Sequence, residues 1–124
     1  MKNLLILTFL FSSLLLISCS KSETDTILTG KWRLSETLAD PGDGRGKWEN
    51  AKSNKMYLIF NTDGTLSGSE SAGYKSYTVL DSVKIEFILK NDSKTISAYK
   101  ISGNSLLITP PCFEACGSRF IKVN

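Results

Sequence analysis

The chain has 124 residues, 15 Lys and Arg against 12 Asp and Glu, and a hydrophobic fraction of 41%. It contains no histidine, which removes Ser-His and Cys-His catalytic pairs and every imidazole metal site. The small positive excess is not gathered into a cluster or stripe, so there is no electrostatic footprint for nucleic acid.

At the N-terminus, Lys2 precedes residues 4–17, a mostly apolar run. That length fits a signal-peptide core and falls short of the roughly 20 residues a spanning helix needs. The run ends in Leu16-Ile17-Ser18-Cys19. This resembles the bacterial lipobox: an aliphatic residue, two small or medium residues, then a cysteine. The resemblance implies removal of residues 1–18 as a lipoprotein signal peptide and acylation of Cys19. Several acyl chains, at about 0.8 kcal/mol per buried methylene, hold a small domain to a membrane without spanning it. The expectation is a bacterial outer-membrane lipoprotein, anchored through its N-terminal lipid and facing the periplasm or the cell surface. Residues 19–27, rich in Ser and Thr, are expected to be a flexible tether.

The remaining residues, 28–124, suffice for one domain with a single core. Short β-branched or aromatic runs alternate with turn signals. Residues 28–38 are the first predicted strand, followed by a Gly/Asp-rich loop at 39–54 that carries Trp48. A strand at 55–60 turns through Asn61-Thr62-Asp63-Gly64 into another at 65–69. Further strands are predicted at 74–80, 83–89, 95–101, 105–109 and 119–123. Eight successive strands without helical periodicity predict an all-β fold, an antiparallel sandwich or an up-and-down barrel.

Alternation assigns the faces. Val83, Ile85, Phe87 and Leu89 share one side of their strand, and Met56, Leu58 and Phe60 share one side of theirs. In the last strand Arg119 has the parity of Ile121 and Val123, which predicts that it points inward with them. A buried guanidinium is costly unless something receives it.

Gly30-Lys31-Trp32 supplies a receiver. A G-x-W near the start of an eight-strand chain resembles the lipocalin signature, in which the tryptophan packs at the closed base of the barrel with a terminal-strand arginine against it. The whole of residues 28–124 is similar to small lipocalin-like lipoproteins of Bacteroidetes-type bacteria. The shared features are G-x-W, F-x-x-D-G at 60–64, a Tyr99 to Leu106 stretch and a terminal C-x-x-x-C. The resemblance implies an eight-stranded antiparallel up-and-down β-barrel with Gly30, Trp32 and Arg119 forming its base. A cation on an indole face contributes roughly 0.5–2 kcal/mol.

Cys112 and Cys116 flank three residues. With no histidine, two cysteines alone make a poor zinc site, and C-x-x-x-C is not the redox C-x-x-C. In an oxidising compartment the spacing favours a structural disulfide closing a tight loop, contributing about 2 kcal/mol, over free or redox-active thiols. Asn61, Asp63, Gly64, Leu66 and Glu70 fall at EF-hand spacings, but Ile59 stands where the first carboxylate belongs and no helices flank the loop. That stretch is expected to be a hairpin. No metal, cofactor or catalytic residue is expected.

An eight-stranded barrel is either filled by side chains or just wide enough for one small ligand. The expected function is non-catalytic binding of a small apolar ligand in or at the mouth of the barrel. Trp48 would serve in the lid loop, with Met56, Leu58, Phe87 and Leu89 lining the pocket. The alternative is an envelope interaction or inhibitor module whose barrel is solid and whose loops meet a protein partner.

Overall fold

The computed structural model describes residues 27–124. The expected signal peptide, the acylated Cys19 and all but the last residue of the tether lie outside the described residues. The described chain forms nine antiparallel strands: β1 (Gly30–Ala39), β2 (Lys47–Asn50), β3 (Tyr57–Phe60), β4 (Leu66–Ser67), β5 (Tyr74–Val79), β6 (Lys84–Leu89), β7 (Lys94–Ser102), β8 (Ser105–Thr109) and β9 (Cys116–Val123).

Eight of them make the wall, in the order β4-β3-β1-β9-β8-β7-β6-β5. A bridge between Thr65 and Ser76 brings the two end strands together. Beside it the Tyr77 N–H donates to the Gly64 carbonyl at 2.9 Å. The result is a nearly closed eight-stranded antiparallel barrel in up-and-down order. The ninth strand, β2, was not expected from the sequence. It pairs only with the upper half of β1, where Leu38 faces Trp48, while β3 pairs with the lower half, where Trp32 faces Leu58.

Turn chemistry explains the hairpins. In the β3–β4 turn the Gly64 N–H donates to the Asn61 carbonyl at 3.1 Å, with Gly64 at φ 86°. Asp63 accepts from both the Thr65 N–H and its hydroxyl. This is the hairpin expected at the EF-hand-like stretch. After β4, Gly68 sits at φ 96°, and an added Cβ would collide with the Tyr57 carbonyl.

The inward faces meet in one core. Trp32, Phe60, Leu28, Ile85 and Leu106 are its largest fully buried side chains. Phe60 meets Tyr77 edge-on at 4.9 Å, and Tyr74 lies 5.0 Å from Phe87. Each such apolar side chain removed from water contributes about 1.5–3 kcal/mol before entropy is subtracted.

Since β1 rises from Gly30 to Ala39, the antiparallel order defines two ends. The base holds residues 27–29 and the turns after β3, β5 and β7. The rim holds the loops after β1, β4, β6 and β8, including the cysteine loop.

Candidate functional site

At the base, the structure corrects the expected pairing. Arg119 does not reach Trp32. The core residue of the last strand is Phe120, 4% exposed, and it pairs with Leu34 on one side and Leu106 on the other. The stretch Arg119-Phe120-Ile121-Lys122-Val123 carries apolar residues on both parities, so alternation within it does not fix the inward set. Its neighbours do: Phe120 fills the core, and Lys122 turns inward with it. Lys122 lies opposite Trp32, with its ammonium 4.7 Å from the indole centroid. It donates to the carbonyls of Ile27, at 2.8 Å, and Thr29.

A flexible lysine suits this position because its stem crosses apolar surface while its ammonium reaches the end of the barrel. Burial lowers the Lys122 pKa from the ordinary lysine value. Gly30 makes the crossing possible, since a Cβ there would lie 3.2 Å from Lys122 Cε. The Trp32 Nε1–H donates to the Leu28 carbonyl at 2.7 Å. Gly30 and Trp32 sit together at the base, with Lys122 in the place expected of Arg119.

Arg119 faces outward near the rim. A β-bulge between Leu34 and Glu36 resets the pairing, so Glu36 stands opposite Arg119 and Leu38 opposite Gly117. The Ser35 hydroxyl donates to the Arg119 carbonyl at 3.0 Å across this bulge. The Arg119 Nη1–H donates to Glu36 Oε2 at 2.9 Å, and its guanidinium lies 3.7 Å from the centre of the Trp48 ring. Gly117 gives the indole room: a Cβ on it would be 3.2 Å from Trp48 Cη2.

Trp48 is thus pinned to the outer wall near the rim rather than placed as a lid over the mouth. Beside it an open groove of about 430 Å³ runs under the cysteine loop, with Leu38, Trp48, Leu107, Pro110 and Phe113 supplying its apolar lining. Cys112 and Cys116 are paired at disulfide distance, Cα to Cα 6.2 Å, within the range such a bridge requires. Phe113 is held at the exposed tip of this short loop, at full solvent exposure.

The neighbouring loop is held just as firmly. The Asp40 carboxylate accepts N–H bonds from Gly42, Asp43, Gly44 and Gly46. These bonds, that from Gly42 foremost, hold its pKa below the ordinary carboxylate value. The Asp40 N–H donates to the Ala115 carbonyl at 3.1 Å, tying this loop to the cysteine loop. Asp43 pairs with Arg45 at 2.7 Å. Among the described residues no group of three His, Cys, Asp or Glu is placed to hold a metal ion.

The other sequence-predicted pocket residues do not join Trp48. Leu58 and Phe87 are 4% and 2% exposed within the core. Met56 packs against that core from outside β3, and Leu89 is half-buried at the end of β6. Leu38, Leu107, Phe113 and Gly117 were not singled out from the sequence, because they come from three strands and a loop that only the register unites. Comparison with models of known protein families, with curated proteins and with solved structures finds no match to this chain.

Proposed function

We propose that this chain is a non-catalytic, lipid-anchored, lipocalin-like domain of the bacterial outer membrane that binds an apolar group in the groove under its disulfide loop. The observation that carries the reading is the contrast between a barrel centre filled by Trp32, Phe60, Ile85 and Leu106 and an apolar groove left open outside it. A groove of about 430 Å³ lies within the roughly 300–1,000 Å³ typical of small-molecule sites. Its lining is mainly aliphatic and aromatic, with Thr109, Glu114 and the two cysteines completing it, and the Arg119 guanidinium on the wall beside it is already held by Glu36 and Trp48. Lipid on Cys19 would supply the anchor. A protein segment as the source of the apolar group has one observation in its favour: Phe113 stands out as a knob at the loop tip, a shape suited to contact with a partner.

The test is a fluorescence titration. Trp32 is fully buried and Trp48 half-exposed, so the response to medium-chain fatty acids or an apolar peptide library is expected from Trp48. A saturable shift that disappears in Trp48→Phe supports the groove. No response across the panel rejects it, and a response that survives Trp48→Phe moves the site elsewhere.

A further inference from the structure

The base of the barrel exposes three aliphatic side chains among its polar turn residues. Ile27, Leu80 and Val83 are 53%, 46% and 55% exposed, and all three lie at that end. They come from two separate segments. Thr29, two residues after Ile27, lines one cleft with Thr78 and Val79, the residues that lead into Leu80, so the two segments approach each other at this end.

Leu80 and Val83 are not on a loose loop. The Leu80 N–H donates to the Lys84 carbonyl at 3.0 Å, and the Asp81 carboxylate accepts from the N–H groups of Val83 and Lys84. The Tyr99 hydroxyl donates to the Asp81 carbonyl at 2.9 Å, fixing this turn to the wall. The turn satisfies its own polar groups and presents two aliphatic side chains to solvent. Turn positions ordinarily carry Gly, Asn, Asp or Ser, so two exposed aliphatics held by a fixed turn, at the same end of the barrel as a third, call for a covering surface.

The chain itself indicates which surface. Ile27, the first described residue, enters at the base, and residues 20–26 are all that separate it from Cys19. Such a stretch reaches no farther than about 28 Å even at full extension. An acyl group on Cys19 would thus hold the base within about 28 Å of the bilayer, while the rim has no such tie.

We infer that the barrel seats its base on the lipid surface through Ile27, Leu80 and Val83, which directs the groove and Phe113 away from the membrane. This rests on the lipid-anchored reading above. Apolar side chains at the headgroup boundary reach about 5–10 Å into it. Three of them add contact to the covalent anchor and limit how the domain swings on its tether.

The experiment uses the full acylated protein reconstituted into phosphatidylcholine vesicles containing brominated acyl chains, with Trp48→Phe as background. Leu80→Trp and Phe113→Trp place reporters at opposite ends. Both positions are exposed, so neither change touches the core. The expected result is loss of most of the emission of the Leu80→Trp reporter, with the Phe113→Trp reporter unquenched. Flotation with the vesicles without quenching at position 80, as when another protein covers the base, overturns the seating while leaving the anchor intact. Quenching at position 113 instead overturns the orientation. Failure to float overturns the anchor and the seating together.

Discussion

Replacing Lys122 by methionine tests the base of the barrel. The substitution keeps an unbranched stem over Trp32 and removes the ammonium. Three contacts go with it: the donations to the Ile27 and Thr29 carbonyls and the approach of 4.7 Å to the indole. A hydrogen bond contributes about 0.5–1.5 kcal/mol net, and somewhat more when its donor is charged. The cation on the indole adds about 0.5–1 kcal/mol where water remains close. Against these stands the desolvation that lowers the Lys122 pKa. The balance is a loss of about 1–2 kcal/mol, which lowers Tm by roughly 5–10 °C for a domain of this size.

Arg119→Met provides the comparison. Its ion pair with Glu36 is 40% and 32% exposed at the two side chains, so the pair contributes little, and its approach of 3.7 Å to the half-exposed Trp48 ring adds only about 0.5–1 kcal/mol. Denaturant unfolding followed by Trp32 emission should rank Lys122→Met as the more destabilised of the two. A Lys122→Met protein as stable as the parent, or an Arg119→Met protein less stable than it, would refute this account of the base.

Gly68→Ala should be severe, because it forces an unfavourable positive φ and drives a Cβ into the Tyr57 carbonyl; a loss of about 2–4 kcal/mol in the same unfolding assay is expected. A near-parental stability would show that the β3–β4 wall relaxes freely. Asp40 should titrate below a free aspartate when its carboxyl carbon is followed by NMR, with the Gly42 and Gly46 amide shifts moving at the same midpoint. Since its native pKa is depressed, the stability it contributes is fully present above the unfolded-state value and is lost as pH falls through the native one. An ordinary midpoint, or immobile glycine amides, would contradict the loop geometry.

Several features of the fold were legible because they are local. Ile85 and Phe87 alternate cleanly with Lys84 and Glu86, and Asn61 to Gly64 spells out its turn. The strand β2 was hidden because Lys47-Trp48-Glu49-Asn50 is short, sits among glycines and aspartates, and gains its partner only from the upper half of β1. The last strand misled through its pattern. Ile121 and Val123 advertise one face, but the bulk of Phe120 and its partners Leu34 and Leu106 choose the other. Lys122 takes the place expected of Arg119 as a direct consequence. The β-bulge after Leu34 leaves no mark in the composition, yet it aims Glu36 and Leu38 outward. The groove was illegible for the same reason: Leu38, Trp48, Gly117 and Leu107 lie on four strands, and only the sheet register makes them neighbours.

Methyl NMR of the leucines tests the central claim most directly. With a saturating medium-chain fatty acid, the methyl signals of Leu38 and Leu107 should move, while those of the buried Leu58 and Leu106 stay fixed. Shifts at Leu58 and Leu106, with Leu38 and Leu107 unchanged, would place the ligand inside the barrel and contradict the account.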